Sequence, residues 1–93
     1  MKLYFRNSYG HMRELCQIDD TRTSKQVTSE IMREIRQFCK ERKFHIYYTR
    51  IWDVPSENRT MFDVGSHTEF FVTEPACYEL FMKSKEGTEE DTE

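Results

Sequence analysis

Asp63-Val64-Gly65-Ser66-His67-Thr68-Glu69 is the densest run of chemistry-bearing side chains in this sequence: a serine hydroxyl, an imidazole and two carboxylates within seven residues. Serine, histidine and a carboxylate are the parts of a nucleophilic hydrolase. The spacing argues against that use. A triad is assembled from separated segments, each group aimed by the fold, whereas adjacent Ser66 and His67 on an extended backbone point apart. Ser66 follows Gly65 directly, so no Gly-x-Ser-x-Gly elbow is formed. A chain this short also has little room to wall off a substrate pocket. No catalytic residue is assigned, and the chain reads as a non-enzyme. Locally, Gly65 would supply an unusual backbone angle, Ser66 or Thr68 would bond nearby amides, and Asp63 or Glu69 would pair with Arg50. A surface recognition loop is the functional alternative for the same residues.

Metal, redox and phosphate chemistry find no better footing. Cys16, Cys39 and Cys77 form no Cys-x-x-Cys pair, and His11, His45 and His67 add no close ligand pairs. The reading is therefore no metal, no cofactor, and reduced, mostly buried thiols in a reducing cytosol. Gly10, Gly65 and Gly87 stand too far apart for a phosphate-cradling loop.

The elements that must position these groups are bounded by size. Ninety-three residues give a single-domain expectation, with a little over ~60% of the unfolded surface buried. An aromatic share of 14% is too high for a disordered chain. No window approaches the ~18 consecutive apolar residues of a membrane span, and Met1-Lys2-Leu3-Tyr4-Phe5-Arg6 lacks a signal-peptide core. The expectation on these grounds is neither a multidomain enzyme nor a membrane protein nor a secreted precursor. The net charge of −3 divides into +1 over residues 1–83 and −4 over Ser84–Glu93. The expectation is one domain, 1–83, followed by an acidic mobile tail, 84–93.

Leu3–Arg6 reads as a strand, Asn7-Ser8-Tyr9-Gly10 as a tight turn and Met12–Ile18 as a second strand, giving a hairpin. Thr23-Ser24-Lys25-Gln26 matches a capping box, and Val27, Ile31, Ile35 and Phe38 then make one apolar stripe of a helix over Ser24–Arg42. Arg42 and Lys43 near its end suit the helix dipole. The β-branched and aromatic run Phe44–Trp52 predicts a third strand, and Asp53–Arg59 a loop. Thr60–Val64 and Thr68–Val72 are two further strand-like runs, with Gly65-Ser66-His67 a turn in preference to a bulge in one longer strand. A short helix starts in Thr73-Glu74-Pro75-Ala76-Cys77 and ends near Lys83. The order β-β-α-β-β-(β)-α implies an α+β fold: a small antiparallel sheet of four to five strands with the long helix on one face.

One helix covers one face of such a sheet. On the strand from Phe44, the sets Phe44/Ile46/Tyr48/Arg50/Trp52 and His45/Tyr47/Thr49/Ile51 both carry large apolar or aromatic groups. The second face is thus expected to meet the C-terminal helix, solvent, a second copy or a partner. The partner-binding residues read from this pattern and the polar cluster are Tyr47, Arg50, Trp52, Ser66, His67 and Glu69. The long helix also carries more bases than acids, and Lys25, Arg36 and Lys40, with Arg33 nearby, fall roughly opposite its apolar stripe. A solvated face, phosphate contact or an acidic protein partner would each account for them.

Phe5-Arg6-Asn7-Ser8-Tyr9-Gly10, Tyr47-Tyr48-Thr49-Arg50-Ile51-Trp52 and Phe62-Asp63-Val64-Gly65-Ser66-His67-Thr68-Glu69-Phe70-Phe71 resemble blocks of small uncharacterised proteins encoded in phages and prophages of Gram-positive bacteria. The resemblance covers about Lys2 to Val72. It implies a phage accessory protein in the bacterial cytoplasm, or one packaged in a virion, and carries no catalytic residues over. Three readings follow. The first is an accessory protein that binds and inhibits or redirects a host macromolecule, for instance a CRISPR-nuclease inhibitor or a sponge for a nucleotide signal. The second is a particle component that self-associates, and the third a nucleic-acid binder using the basic helix.

Overall fold

The computed structural model describes residues 1–83, so the acidic tail expected over 84–93 lies outside the described residues. Strands β1 (Lys2–Arg6) and β2 (Met12–Gln17) form the first hairpin, and helix α1 (Ser24–Glu41) follows. Strands β3 (Arg50–Val54), β4 (Arg59–Asp63) and β5 (Phe70–Glu74) precede a short helix α2 over residues 78–83. The five strands make one sheet in the order β2-β1-β5-β4-β3, antiparallel throughout. The last strand therefore joins the two hairpins.

Helix α1 begins where its capping box places it. The Thr23 hydroxyl accepts from the Gln26 amide at 3.2 Å, and the Gln26 side chain accepts from the Thr23 amide at 3.3 Å. Its buried stripe is Val27, Ile31, Ile35 and Cys39, with Phe38 only half-buried. Those residues meet Leu3 of β1, Phe62 of β4 and Phe71 of β5, which with Val64 and Cys77 form the core. Burying one such side chain contributes about 1.5–3 kcal/mol, so this stripe stabilises the fold more than any surface pair.

The strand predicted over Phe44–Trp52 starts only at Arg50 and runs on to Val54. The segment before it is occupied in leaving the helix. Lys43 takes a left-handed φ of 58°, the Phe44 amide donates to the Cys39 carbonyl at 2.8 Å, and Phe44 and Ile46 pack into the core. Strand propensity reports fit to a pleated surface, and here no neighbouring strand offers one. The two alternating side-chain sets expected from Phe44 onward therefore do not exist. The predicted loop Asp53–Arg59 shrinks to a 3-10 turn, Pro55–Glu57, and left-handed Asn58 (φ 52°). Residues 64–69 connect separate strands, so Gly65-Ser66-His67 lies in a turn. Glu74 ends β5 instead of opening a helix, because its carboxylate accepts from Arg59 Nε at 2.7 Å and the Tyr4 hydroxyl at 3.1 Å.

Helix α2 shares the layer of α1. Phe81 meets Phe62 edge-on at 5.4 Å, and the Cys77 amide donates to Thr60 Oγ1 at 2.6 Å, both partners facing the core. The opposite face of the sheet has no described element over it. Trp52 packs edge-on to Phe70 at 5.9 Å there, both half-buried, and buried Met61 and Val72 and half-buried Tyr4 share that side by strand alternation. The C-terminal helix is thus not the cover for the second face.

Candidate functional site

Strand register decides which loops become neighbours. Arg6 pairs with both Met12 and Phe70, and Arg50 pairs with Asp63. The β1–β2 turn, the β4–β5 loop and the segment entering β3 therefore leave the sheet at one end. The C-terminus of α1 joins them, because Phe38 packs on Phe5 at 4.8 Å and Phe71 at 5.5 Å. This end gathers Tyr9 (85% exposed), Tyr47 (70% exposed), Tyr48 and all three histidines of the chain. Tight turns at the ends of a rigid sheet are where binding side chains concentrate.

Asp63, at the last position of β4, organises this end. Its carboxylate is only 1% exposed. It accepts from the Gly65 amide at 3.0 Å, the His67 amide at 3.4 Å and the Tyr48 hydroxyl at 3.2 Å. Burial pushes the Asp63 carboxyl up, but those hydrogen bonds together hold it below the usual carboxylate range. The loop needs the bonds because it bends sharply: Gly65 sits at φ +112° and His67 at φ +67°. Tyr47 lies against Gly65, where a Cβ would come within 2.9 Å of its ring. The Tyr48 hydroxyl also lies 3.2 Å from His67 Nδ1, and burial and the Asp63 charge raise its pKa. Ser66 Oγ accepts from the Glu69 amide at 3.0 Å and so closes the loop on itself.

Between this loop and the end of α1 lies a half-enclosed cavity of about 120 Å³. Phe5, Phe38, Phe44 and Phe71 supply its apolar lining, and Arg42, Lys43, Ser66 and Glu69 its polar rim. The Arg42 guanidinium stacks over Phe5 at 4.8 Å and reaches Glu69 at 3.8 Å. Cys39 also lines it, and burial pushes the Cys39 thiol up.

The residues singled out from sequence divide among four places. Ser66 and Glu69 line the cavity, while Tyr47 and His67 stand on the exposed rim. Arg50 lies 4.0 Å from Asp63 and stacks over Trp52 at 5.5 Å, so Trp52 belongs to the uncovered sheet face. The expected partner of Arg50 is thus Asp63, and Glu69 turns to Arg42 instead. Lys25, Arg33 and Arg36 border a shallow groove on the N-terminal half of α1, and Lys40 stands one turn beyond it. Glu30 lies in that groove and pairs with both Arg22 and Arg33. Tyr9, Tyr48, Arg42 and the four-phenylalanine lining were not read as site residues from sequence. Their signal lay in long-range register, although the turn at Asn7–Gly10 and the Arg42-Lys43 pair were visible separately.

Chemically, the end offers hydrogen-bonding hydroxyls, imidazoles and one cation-rimmed apolar cavity. Among the described residues no three His, Cys, Asp or Glu side chains lie close enough to hold a metal ion, and no helix is long and apolar enough to cross a membrane. The fold and this site define an α+β domain that presents a tyrosine- and histidine-rich loop end. No family model, curated protein or solved structure matches the chain.

Proposed function

We propose that the chain is a non-catalytic binding protein that docks a host macromolecule on its loop end and thereby inhibits or redirects it. The sequence resemblance to phage and prophage proteins supports a bacterial host as the setting, the cytoplasm as the proposed compartment and a counter-defence role as the sharpest form of the proposal. The observation that carries the reading is the gathering of exposed Tyr9, Tyr47, Tyr48 and His67 at one end of the sheet, the last two tied to buried Asp63. Tyrosine supplies large contact area at low entropic loss, which is why binding loops are rich in it. The test is affinity capture from a Gram-positive host lysate at physiological salt, wild type against a Tyr47→Ser/His67→Ser variant. A macromolecule retained by the first and lost by the second is expected. Retention of nothing, or equal retention by both, overturns the reading.

The helix-free sheet face, where half-buried Trp52 and Phe70 lie, favours a second reading, a particle component that associates with copies of itself. That reading requires an oligomer growing with concentration in light scattering. A strict monomer at ~100 μM, far above a typical micromolar Kd, refutes it. The nucleic-acid reading is weaker, because Glu30 occupies the groove that Lys25, Arg33 and Arg36 would offer a phosphate.

A further inference from the structure

We propose that the cavity between the end of α1 and the β4–β5 loop receives one apolar side chain from an acidic segment of a partner polypeptide. This names the partner chemistry at the loop end and rests on the docking reading above. Size sets the anchor. The cavity is about 120 Å³ and half-enclosed, and a void of about 150 Å³ holds a benzene ring. One aromatic ring or branched aliphatic group fits, and two do not. The four phenylalanines around it give that group ring faces and edges to pack against.

Charge sets what flanks the anchor. Among the described lining residues Arg42 and Lys43 face the single carboxylate of Glu69, and Arg13, outside the lining, lies over the Phe38 ring at 5.6 Å. Arg42 is held over the Phe5 and Phe38 rings, so its guanidinium is already fixed in place. Its pair with Glu69 is long, 3.8 Å, and both groups are partly in water, so a second carboxylate can replace or share that contact. The negative end of the helix dipole opposes an anion here. That opposition is blunted, because the carbonyls of Phe38, Cys39 and Lys40 already accept from the amides of Arg42, Phe44 and Lys43. A ring with carboxylates on adjacent residues therefore matches both the lining and the rim.

The probe is an end-capped pentapeptide with one phenylalanine flanked on each side by two glutamates, titrated into the labelled full chain by NMR. The expected result is saturable shifts of the Phe5, Phe38 and Phe71 ring signals, absent when the peptide phenylalanine is replaced by alanine. Lysine flanks, or an Arg42→Gln/Lys43→Gln variant of unchanged melting temperature, should each weaken binding by ~10-fold or more, the equivalent of one good charge-assisted contact. Equal binding of the glutamate- and lysine-flanked peptides overturns the proposal, as does the lack of any shift at millimolar peptide. Phenylacetate binding as tightly as the peptide also overturns it, and assigns the cavity to free aromatic acids. Should the peptide fail while lysate capture still depends on Tyr47 and His67, this inference falls and the docking reading stands. Should capture fail while the peptide binds, the docking reading falls and the cavity is left with its affinity for an acid-flanked ring alone.

Discussion

Replacing Asp63 by asparagine isolates the charge that ties the loop end together. The side chain keeps its shape, and its remaining carbonyl oxygen still accepts from the Gly65 and His67 amides, 3.0 and 3.4 Å away in the wild type. Hydrogen bonds to a charged acceptor contribute about 1.5–3 kcal/mol each, against about 0.5–1.5 for neutral ones. The His67 bond is long and the loop borders water, so the loss from Asp63→Asn is about 1–2 kcal/mol rather than the sum over three bonds. At about 4–8 °C per kcal/mol for a domain of this size, melting falls by roughly 5–15 °C near pH 7. The pH dependence carries the sign. Because the folded carboxyl titrates below its ordinary value of about 3.9, its stabilisation is present above that value and is lost as pH falls through the folded one. Thermal unfolding followed by circular dichroism from pH 7 down to pH 2.5 should show wild type and variant converging below about pH 4. A constant gap across that range, or no gap at pH 7, would refute the role given to Asp63.

Three further perturbations test the frame around it. Gly65→Ala puts a Cβ at φ +112°, within 2.9 Å of the Tyr47 ring, and should cost about 1–3 kcal/mol in chemical unfolding while displacing Tyr47 in NMR spectra. Phe62→Ala, at a side chain with no exposed surface, should lose about 3–5 kcal/mol and leave much of the population unfolded at 37 °C. Thr23→Ala removes the capping box and should lose about 1 kcal/mol without altering the loop-end signals.

What was legible in the sequence was what is local. The capping box and the Val27-Ile31-Ile35 stripe specify α1 from adjacent residues, and Asn7–Gly10 marks its turn. The long β-rich run at Phe44 misled because its side chains serve two layers: Phe44 and Ile46 close the core beside α1, and Trp52 faces the other side of the sheet. Glu74 carried a helix-start signal locally, but Arg59 and Tyr4, brought beside it by pairing, bind it into β5. The same cause hid half the site. Asp63, Ser66 and His67 stood out as a cluster, whereas Tyr9 comes to the same end of the sheet, and Arg42 to Glu69, only through strand register and helix packing, which no local spacing encodes. Counting helices left four covers open for the second face of the sheet; packing removed one of them, because both helices share the other side.

The most direct test of the docking account is amide hydrogen exchange on the chain with and without its captured partner. Slowed exchange is expected in residues 7–11, 44–49 and 64–69, with none in the turn at 55–58, which lies at the opposite end of the sheet. Protection confined to that turn or to the outward face of α1, with the three loop segments unchanged, would contradict it.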